Sequence, residues 1–348
     1  MLPSSPDRSF ATAADHAHCA AAIRVGSRSF HLASLALPRR VRKPAYGLYA
    51  FCRLSDDAVD LDAGSLGAVT RLRERLIRAC EGRPHDSPED RALADVMREH
   101  AIPRAIPEAL LEGLAWDAEG RRYDSLADLH AYAMRVAGAV GVMMSLMMGA
   151  RDPLTLARAS DLGVAMQLTN IARDVGEDAR AGRLYLPRDW LRDAGVDPDA
   201  FLANPVACPA VKQVVAQLLS EADRLYARAR RGVAHLPKSC RPAILAAAFL
   251  YAEIGHELFR RHGLDSVSHR ARVSGRRKLA LFGKAMALSP LLSRDEGTAA
   301  LDAAAFLIDA VVREPIRSVR APRPGMGAQF VFMIEMFERL ERAERFGE

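Results

Sequence analysis

Apolar residues recur at intervals of three and four along most of the chain, and no stretch alternates apolar and polar residues between hairpin-type turns. The pattern predicts a single all-α domain of roughly ten or more helices. One helical pattern runs from Asp15 to about Leu35 with Gly26 inside it, and a second begins with Pro44 in its first turn. Further helices are expected at about 66–81, 88–100, 104–121 and 125–150, punctuated by Gly64, Gly67, Gly82-Arg83-Pro84, Pro103 and Pro107. Pro153 opens another, which Gly176 and Gly182 are expected to loosen before a loop at Arg183-Leu184-Tyr185-Leu186-Pro187. Patterns at about 208–235, 240–262, 275–289, 297–312 and 327–345 complete the chain. Residues 1–14 read as a polar, partly disordered tail, 15–290 as the main domain and 291–348 as a helical extension packed on it.

Two of these helices carry a polar stripe in apolar company. Tyr49, Arg53, Asp56 and Asp60 follow at steps of four, three and four, which at about 100° per residue keeps them within roughly 60° of one another. Gln167, Asn170, Asp174 and Asp178 repeat the arrangement on the helix after Pro153. Spacing alone is weak evidence, because acidic i,i+4 pairs are common on solvated helix faces. The flanks depart from that default: Tyr46, Leu48, Phe51, Val59 and Leu61 surround the first stripe, and Leu162, Val164, Met166, Leu168 and Ile171 the second. Two helices buried on most sides, each with one acidic stripe, imply stripes that face each other across one pocket.

Converging aspartates repel one another by roughly 2–3 kcal/mol per pair at about 6 Å and an effective dielectric near 20, so something cationic must offset them. Oxygen donors without a nearby histidine or cysteine select a hard ion, Mg²⁺ or Mn²⁺. Mg²⁺ keeps some waters and shares phosphate oxygens, which suggests a diphosphate substrate. Arg53, Arg173 and Arg183 would complement that anion by forked hydrogen bonds, the alternative for each being an intrahelical ion pair. Gly26-Ser27-Arg28-Ser29-Phe30 reads either as a helix break that binds an anion or as a close helix contact at Gly26. Arg39, Arg40, Arg42 and Lys43 form a solvated segment, or one that touches lipid headgroups or a diphosphate. Val136-Ala137-Gly138-Ala139-Val140-Gly141-Val142-Met143-Met144 is either a core helix or the wall of an apolar tunnel.

Composition narrows the partner. A net charge of +6 and a pI near 9.2 suit a diphosphate or a membrane surface. Dispersed arginines and only 6% aromatic residues argue against nucleic acid. Five scattered cysteines without a Cys-x-x-Cys favour a reducing cytoplasm over a structural zinc site. The N-terminus lacks the apolar core of a signal peptide, and the longest uncharged apolar run, Val136 to Ala150, falls short of the roughly 20 residues of a membrane span. A Gly-x-x-x-x-Gly-Lys-Ser/Thr loop is missing, which disfavours a nucleotide triphosphatase. A metal-clamped diphosphate beside an apolar tunnel suggests a leaving group on a hydrocarbon chain, ionised to a carbocation.

Phe51-Cys52-Arg53-Leu54-Ser55-Asp56-Asp57-Ala58-Val59-Asp60 and Gln167-Leu168-Thr169-Asn170-Ile171-Ala172-Arg173-Asp174-Val175-Gly176-Glu177-Asp178, followed by Gly182-Arg183-Leu184-Tyr185-Leu186-Pro187, resemble the two signatures of the squalene/phytoene synthase family. The resemblance is strongest to its bacterial phytoene-forming members. Ser27-Arg28-Ser29-Phe30 and Tyr132 to Gly141 also match, so the resemblance spans about residues 15 to 290. It implies an isoprenoid synthase fold around a central apolar cavity. It also implies head-to-head condensation of two geranylgeranyl diphosphates, through a cyclopropylcarbinyl diphosphate, to phytoene.

By the family's pattern, Asp56, Asp60, Asp174 and Asp178 hold Mg²⁺ with Asn170 assisting, and Ser27, Arg28, Arg53 and Arg173 hold diphosphates. Phe30, Tyr49, Tyr132, Gln167 and Tyr251 are expected to line the reacting centre. No nicotinamide cofactor is expected. The sister activity, squalene or dehydrosqualene formation from two farnesyl diphosphates, is the alternative, and tunnel length decides between C15 and C20. A non-catalytic helical protein whose stripes bind Ca²⁺ would place both on the surface, and the EF-hand loop is missing. Because substrates and product are long hydrocarbons, peripheral contact with the inner face of a membrane is expected, without insertion.

Overall fold

Prolines and short polar side chains set where the helices begin. In the computed structural model, which describes residues 9–61, 66–292 and 298–314 except for the side chains of 60, 61 and 66, Thr12, Ser27, Ser87, Ser125, Asp152, Asp197 and Ser274 each accept a backbone N–H at a helix start. These bonds satisfy donors that a first turn leaves open. The first half of the chain forms α1 (Ala13–Gly26), α2 (Arg28–Ser34), α3 (Arg39–Leu61), α4 (Leu66–Cys80), α5 (Pro88–Glu99), α6 (Ala105–Ala118), α7 (Leu126–Ala133) and α8 (Ala139–Met147). The second half forms α9 (Pro153–Arg180), α10 (Arg188–Asp193), α11 (Pro198–Ala203), α12 (Pro209–Gly232), α13 (Arg241–His262), α14 (Gly275–Leu288) and α15 (Ala305–Arg313). No strand occurs among the described residues, in agreement with the all-α expectation.

Several boundaries differ from the sequence pattern, each for a local reason. Residues 9–14, assigned to the tail, are docked: the Ser9 hydroxyl and the N–H groups of Phe10 and Ala11 donate to the buried carboxylate of Asp95 at 2.6, 3.0 and 2.9 Å. α3 begins at Arg39, before Pro44, because Pro38 offers its carbonyl to both Val41 and Arg42 at 2.9 Å. Pro44 then sits inside the helix, where it offers no N–H to the turn before it. Gly176 does not loosen α9. A Cβ there would stand 2.1 Å from the Val267 carbonyl oxygen, and its N–H donates to Ser266 at 3.0 Å, so this glycine admits a neighbouring backbone. Gly182, at φ +77, ends the excursion. Of the expected helix at 297–312 only the second half is α-helical, as α15 with Leu307 and Val311 buried, after a 3-10 turn at Asp302–Ala304, and the one at 327–345 lies outside the described residues.

α9 is the centre of the molecule, packed against α12, α8, α13, α7 and α15. The segment before it is one helical run, Leu126–Met147, interrupted by a π turn at Met134–Gly138. That run is long and apolar enough to cross a membrane, yet more than half of it is buried within the protein, where it packs on α9. Glycines set the spacing. A Cβ on Gly163 would lie 2.2 Å from the Ala137 carbonyl oxygen, and one on Gly141 would lie 2.2 Å from that of Ala159. Gly163→Ala gains about 1 kcal/mol of helix propensity. Forcing backbone from backbone costs about 3 kcal/mol, which wins. Urea titration is expected to show a lowered midpoint for this variant, and a raised one would contradict the contact.

Candidate active site

The side chains α9 turns to one side, Thr155, Ala159, Leu162, Met166 and Asn170, line a cavity of about 340 Å³. Fifteen residues at 1.5 Å each make this a tunnel roughly 22 Å long. Val136, Ala137, Val140, Gly141 and Met144 line the same cavity beside α9, so the small-residue and methionine run is a tunnel wall. Tyr49 and Cys52 of α3 line the same cavity as Gln167 and Asn170 of α9. One helical turn beyond Cys52 stands Asp56, and one turn beyond Asn170 stands Asp174. Both acidic stripes therefore lie at the same end of the tunnel, its mouth.

Asp117, at the C-terminal end of α6, joins them. Its carboxylate is pushed up to about 6, chiefly by burial, and the charge of Asp56 adds to the shift. Asp178 is pushed up to about 7 by burial first, then by Asp174, with Asp117 contributing. Asp117 thus feels α3 and acts on α9. It accepts the hydroxyls of Tyr132 at 2.8 Å and Tyr185 at 2.7 Å. Tyr132 is buried between Tyr123 and Tyr185, with ring centroids 5.1 and 5.3 Å away, and it supports Asp117 from outside the tunnel lining.

Cations gather at this end. Arg173 forks onto Asp174, whose Oδ1 is 2.8 Å from the Arg270 Nε, and Arg270 also reaches Glu177 at 3.0 Å. The positive charge of Arg183 acts on both Asp117 and Asp178. Arg53 makes the intrahelical pair instead, with Asp57 at 2.6 Å, and comes no closer than 3.9 Å to Asp56. Burial lowers the pKa of Lys278 on α14, and the charge of Arg28 adds to the shift, so the two cations act on one another. Arg39 lies seventeen residues, about 25 Å, along α3 from Asp56. The basic cluster at 39–43 is therefore at the far end and cannot share an anion with the aspartates.

Gly26 to Phe30 shows the helix break of the first reading and the close helix contact of the second. The helix does break there, and Gly26 also abuts Tyr49, whose hydroxyl would be 2.3 Å from an added Cβ. The Ser27 hydroxyl accepts the Phe30 N–H at 3.2 Å, and its side chain acts to lower the pKa of the Tyr251 hydroxyl. Phe30 and Tyr251 stack at 4.8 Å. Burial pushes the Tyr251 hydroxyl up to about 12, against the pull of nearby Arg173. Phe30, Tyr49, Gln167 and Asn170 line the tunnel, while Asp56, Arg173, Asp174 and Asp178 stand at its mouth. The Asp60 side chain lies outside the described residues. Asp117, Arg270 and Lys278 were not anticipated.

The donor set fits a hard divalent cation. Asp56, Asp174, Asp178 and the Asn170 amide offer oxygen only, and Asp178 is held toward its neutral form by burial and by like charge, a penalty that a bound cation relieves. Among the described residues no three acidic, histidine or cysteine side chains form a ready-made metal cluster. Arg173 and Arg270 neutralise Asp174 instead, so a divalent ion bound at that carboxylate would take the place of a guanidinium.

Comparison with known proteins agrees with this architecture. The Squalene/phytoene synthase family model matches residues 23–277. The chain is 48% identical over 345 residues to a phytoene synthase of Cereibacter sphaeroides, covering 94% of this chain and 95% of that protein. It is 52% identical over 291 residues to a phytoene synthase of Rhodobacter capsulatus, covering 81% and 85%. Among solved structures, a dehydrosqualene synthase superposes with a TM-score of 0.73 at 30% identity, covering 82% of this chain and all of that one. An acid-lined mouth on a helical apolar tunnel, together with these matches, makes the chain a member of the squalene/phytoene synthase family.

Proposed function

We propose that this enzyme condenses two geranylgeranyl diphosphates head to head to phytoene, with Mg²⁺ or Mn²⁺ as the divalent ion. The observation that carries the C20 preference is tunnel length. Advancing roughly 1.25 Å per bond, the sixteen-carbon main chain of a C20 prenyl group reaches about 19 Å and the twelve-carbon one of a C15 group about 14 Å. The tunnel of roughly 22 Å seats the first along its length and leaves a third of itself empty around the second.

Divalent ions held by Asp56, Asp174 and Asp178, with Asn170, would supply Lewis-acid pull on the diphosphate oxygens. Arg173, Arg270, Arg28 and Lys278 bind the anion and receive the leaving group. The apolar walls keep water from the allylic cation, and the stacked rings of Phe30 and Tyr251 present π faces beside it. Carbon–carbon bond formation with loss of the first diphosphate and one proton gives a cyclopropylcarbinyl diphosphate, and loss of the second diphosphate and another proton gives the C40 hydrocarbon. Purified protein offered C20 or C15 diphosphate with Mg²⁺, with and without NADPH, is expected to release a C40 hydrocarbon from C20 irrespective of NADPH. Preferential formation of a C30 product would replace this reading with the squalene or dehydrosqualene one.

The oily substrates also support peripheral contact with the cytoplasmic membrane face. A surface pocket beside α14 combines Arg230 and Lys284 with Phe249, Leu281 and Leu288, and Leu291 at its rim is 77% exposed. A basic rim around apolar side chains suits an anionic bilayer. The protein is expected to sediment with anionic vesicles and Leu291→Asp to reduce this severalfold; equal recovery in the supernatant for both would remove the idea.

A further inference from the structure

The apolar tunnel closes on hydroxyl groups. At the end away from the acidic mouth, Ser145 of α8 and Thr155 of α9 line the cavity on either side of the short connection between their helices. Ser145 is 0% and Thr155 2% exposed, and neither hydroxyl has a hydrogen-bond partner among the described residues. Other hydroxyls on α9 behave differently: Ser160 and Thr169 donate to the carbonyls of Ala157 and Ala165, both at 2.8 Å. Leaving a buried hydroxyl unpaired is costly, so this pair is held for something that enters the tunnel.

The wall behind them is fixed. Arg158 lines the same end, but its guanidinium leaves the tunnel to meet Asp161 at 2.9 Å and the Thr298 carbonyl at 2.6 Å. Gly232 makes room for its stem, since a Cβ there would come within 2.1 Å of the Arg158 Cβ. Arg228 holds the same Asp161 at 3.0 Å and the Ala299 carbonyl at 2.7 Å, which ties the start of the C-terminal segment to the tunnel end.

We propose that Ser145 and Thr155 form a polar stop that sets the longest prenyl chain the tunnel accepts. The proposal rests on the prenyl diphosphate reading above. Water held at these hydroxyls satisfies them while the chain terminus stops short. A chain one isoprene unit longer must strip that water and bury both hydroxyls against methyl groups. Length is then read by the cost of drying a polar site, with bulk a secondary limit.

The test uses the full chain, with C15, C20 and C25 diphosphates and Mg²⁺, and reads kcat/KM for C25 relative to C20. Thr155→Val keeps the volume and removes the hydroxyl; it is expected to raise that ratio about tenfold, and Ser145→Ala added to it to raise it further. Thr155→Ser adds room and keeps the hydroxyl, and is expected to leave the ratio within about twofold. If Thr155→Ser raises the ratio as much as Thr155→Val, the stop is steric and the proposal is overturned; an unchanged ratio in Thr155→Val overturns it as well. A wild-type protein inactive on all three diphosphates refutes the functional reading and this proposal together, whereas wild-type C20 turnover with unmoved ratios refutes the proposal alone.

Discussion

Asp174→Ala is expected to lower turnover on the order of a thousandfold, as losing one element of a preorganised charge site does. The fold should survive, because the Arg270 pair is half-exposed and worth about 1 kcal/mol or less, and Arg270 keeps Glu177 as a partner at 3.0 Å when Asp174 is removed. Asp56→Ala on the other helix is expected to act alike. If Asp174 served only as an ion-pair partner for its two arginines, the alanine variant would retain near wild-type rates. Steady-state assays together with circular dichroism separate these outcomes.

The second large effect is expected at Asp117, which touches both acidic stripes electrostatically and anchors Tyr132 and Tyr185. Asp117→Asn keeps the shape but has only one oxygen to accept two tyrosine hydroxyls, and turnover should fall about a hundredfold. Stability should respond in a pH-dependent way that activity does not reveal. The folded carboxyl titrates at about 6 against an ordinary 3.8, so the folded state binds the proton more tightly. Its stabilising contribution is whole below pH 3.8 and is lost as pH rises through 6, a change of about 3 kcal/mol by pH 8. The asparagine variant carries no such loss. Between pH 4 and pH 8, in metal-free buffer, denaturant titration should show the stability difference shifting toward the variant by that amount. Parallel pH profiles for the two proteins would contradict the buried, strained state of Asp117.

The acidic stripes were legible because i,i+4 aspartates inside otherwise apolar helices have few other uses. The tunnel wall was legible too, since glycine and alanine followed by methionine permits close helix approach and an adaptable surface. Asp117 was not, because a single acid at the end of an apolar helix repeats with nothing, and its role arises only when α6 packs against α3 and against the Leu126–Met147 run. Arg270 and Lys278 lie in and after an irregular connection where no periodicity singles out a residue. Gly176 was misread for a related reason: sequence shows a glycine in a helix, and only the fold shows Val267 lying against it. Tyr132 is expected at the reacting centre, and the fold adds that its hydroxyl donates to Asp117.

The claim on which the account turns is that carboxylates from two separate helices share one metal-bridged diphosphate at the tunnel mouth. Calorimetric titration with a geranylgeranyl thiodiphosphate, which binds without ionising, tests it most directly when run with Mg²⁺ and with a chelator. The account predicts binding at least about tenfold tighter with Mg²⁺, and loss of that dependence in both Asp56→Ala and Asp174→Ala. Binding indifferent to Mg²⁺, or a metal dependence that survives in either variant, would contradict it.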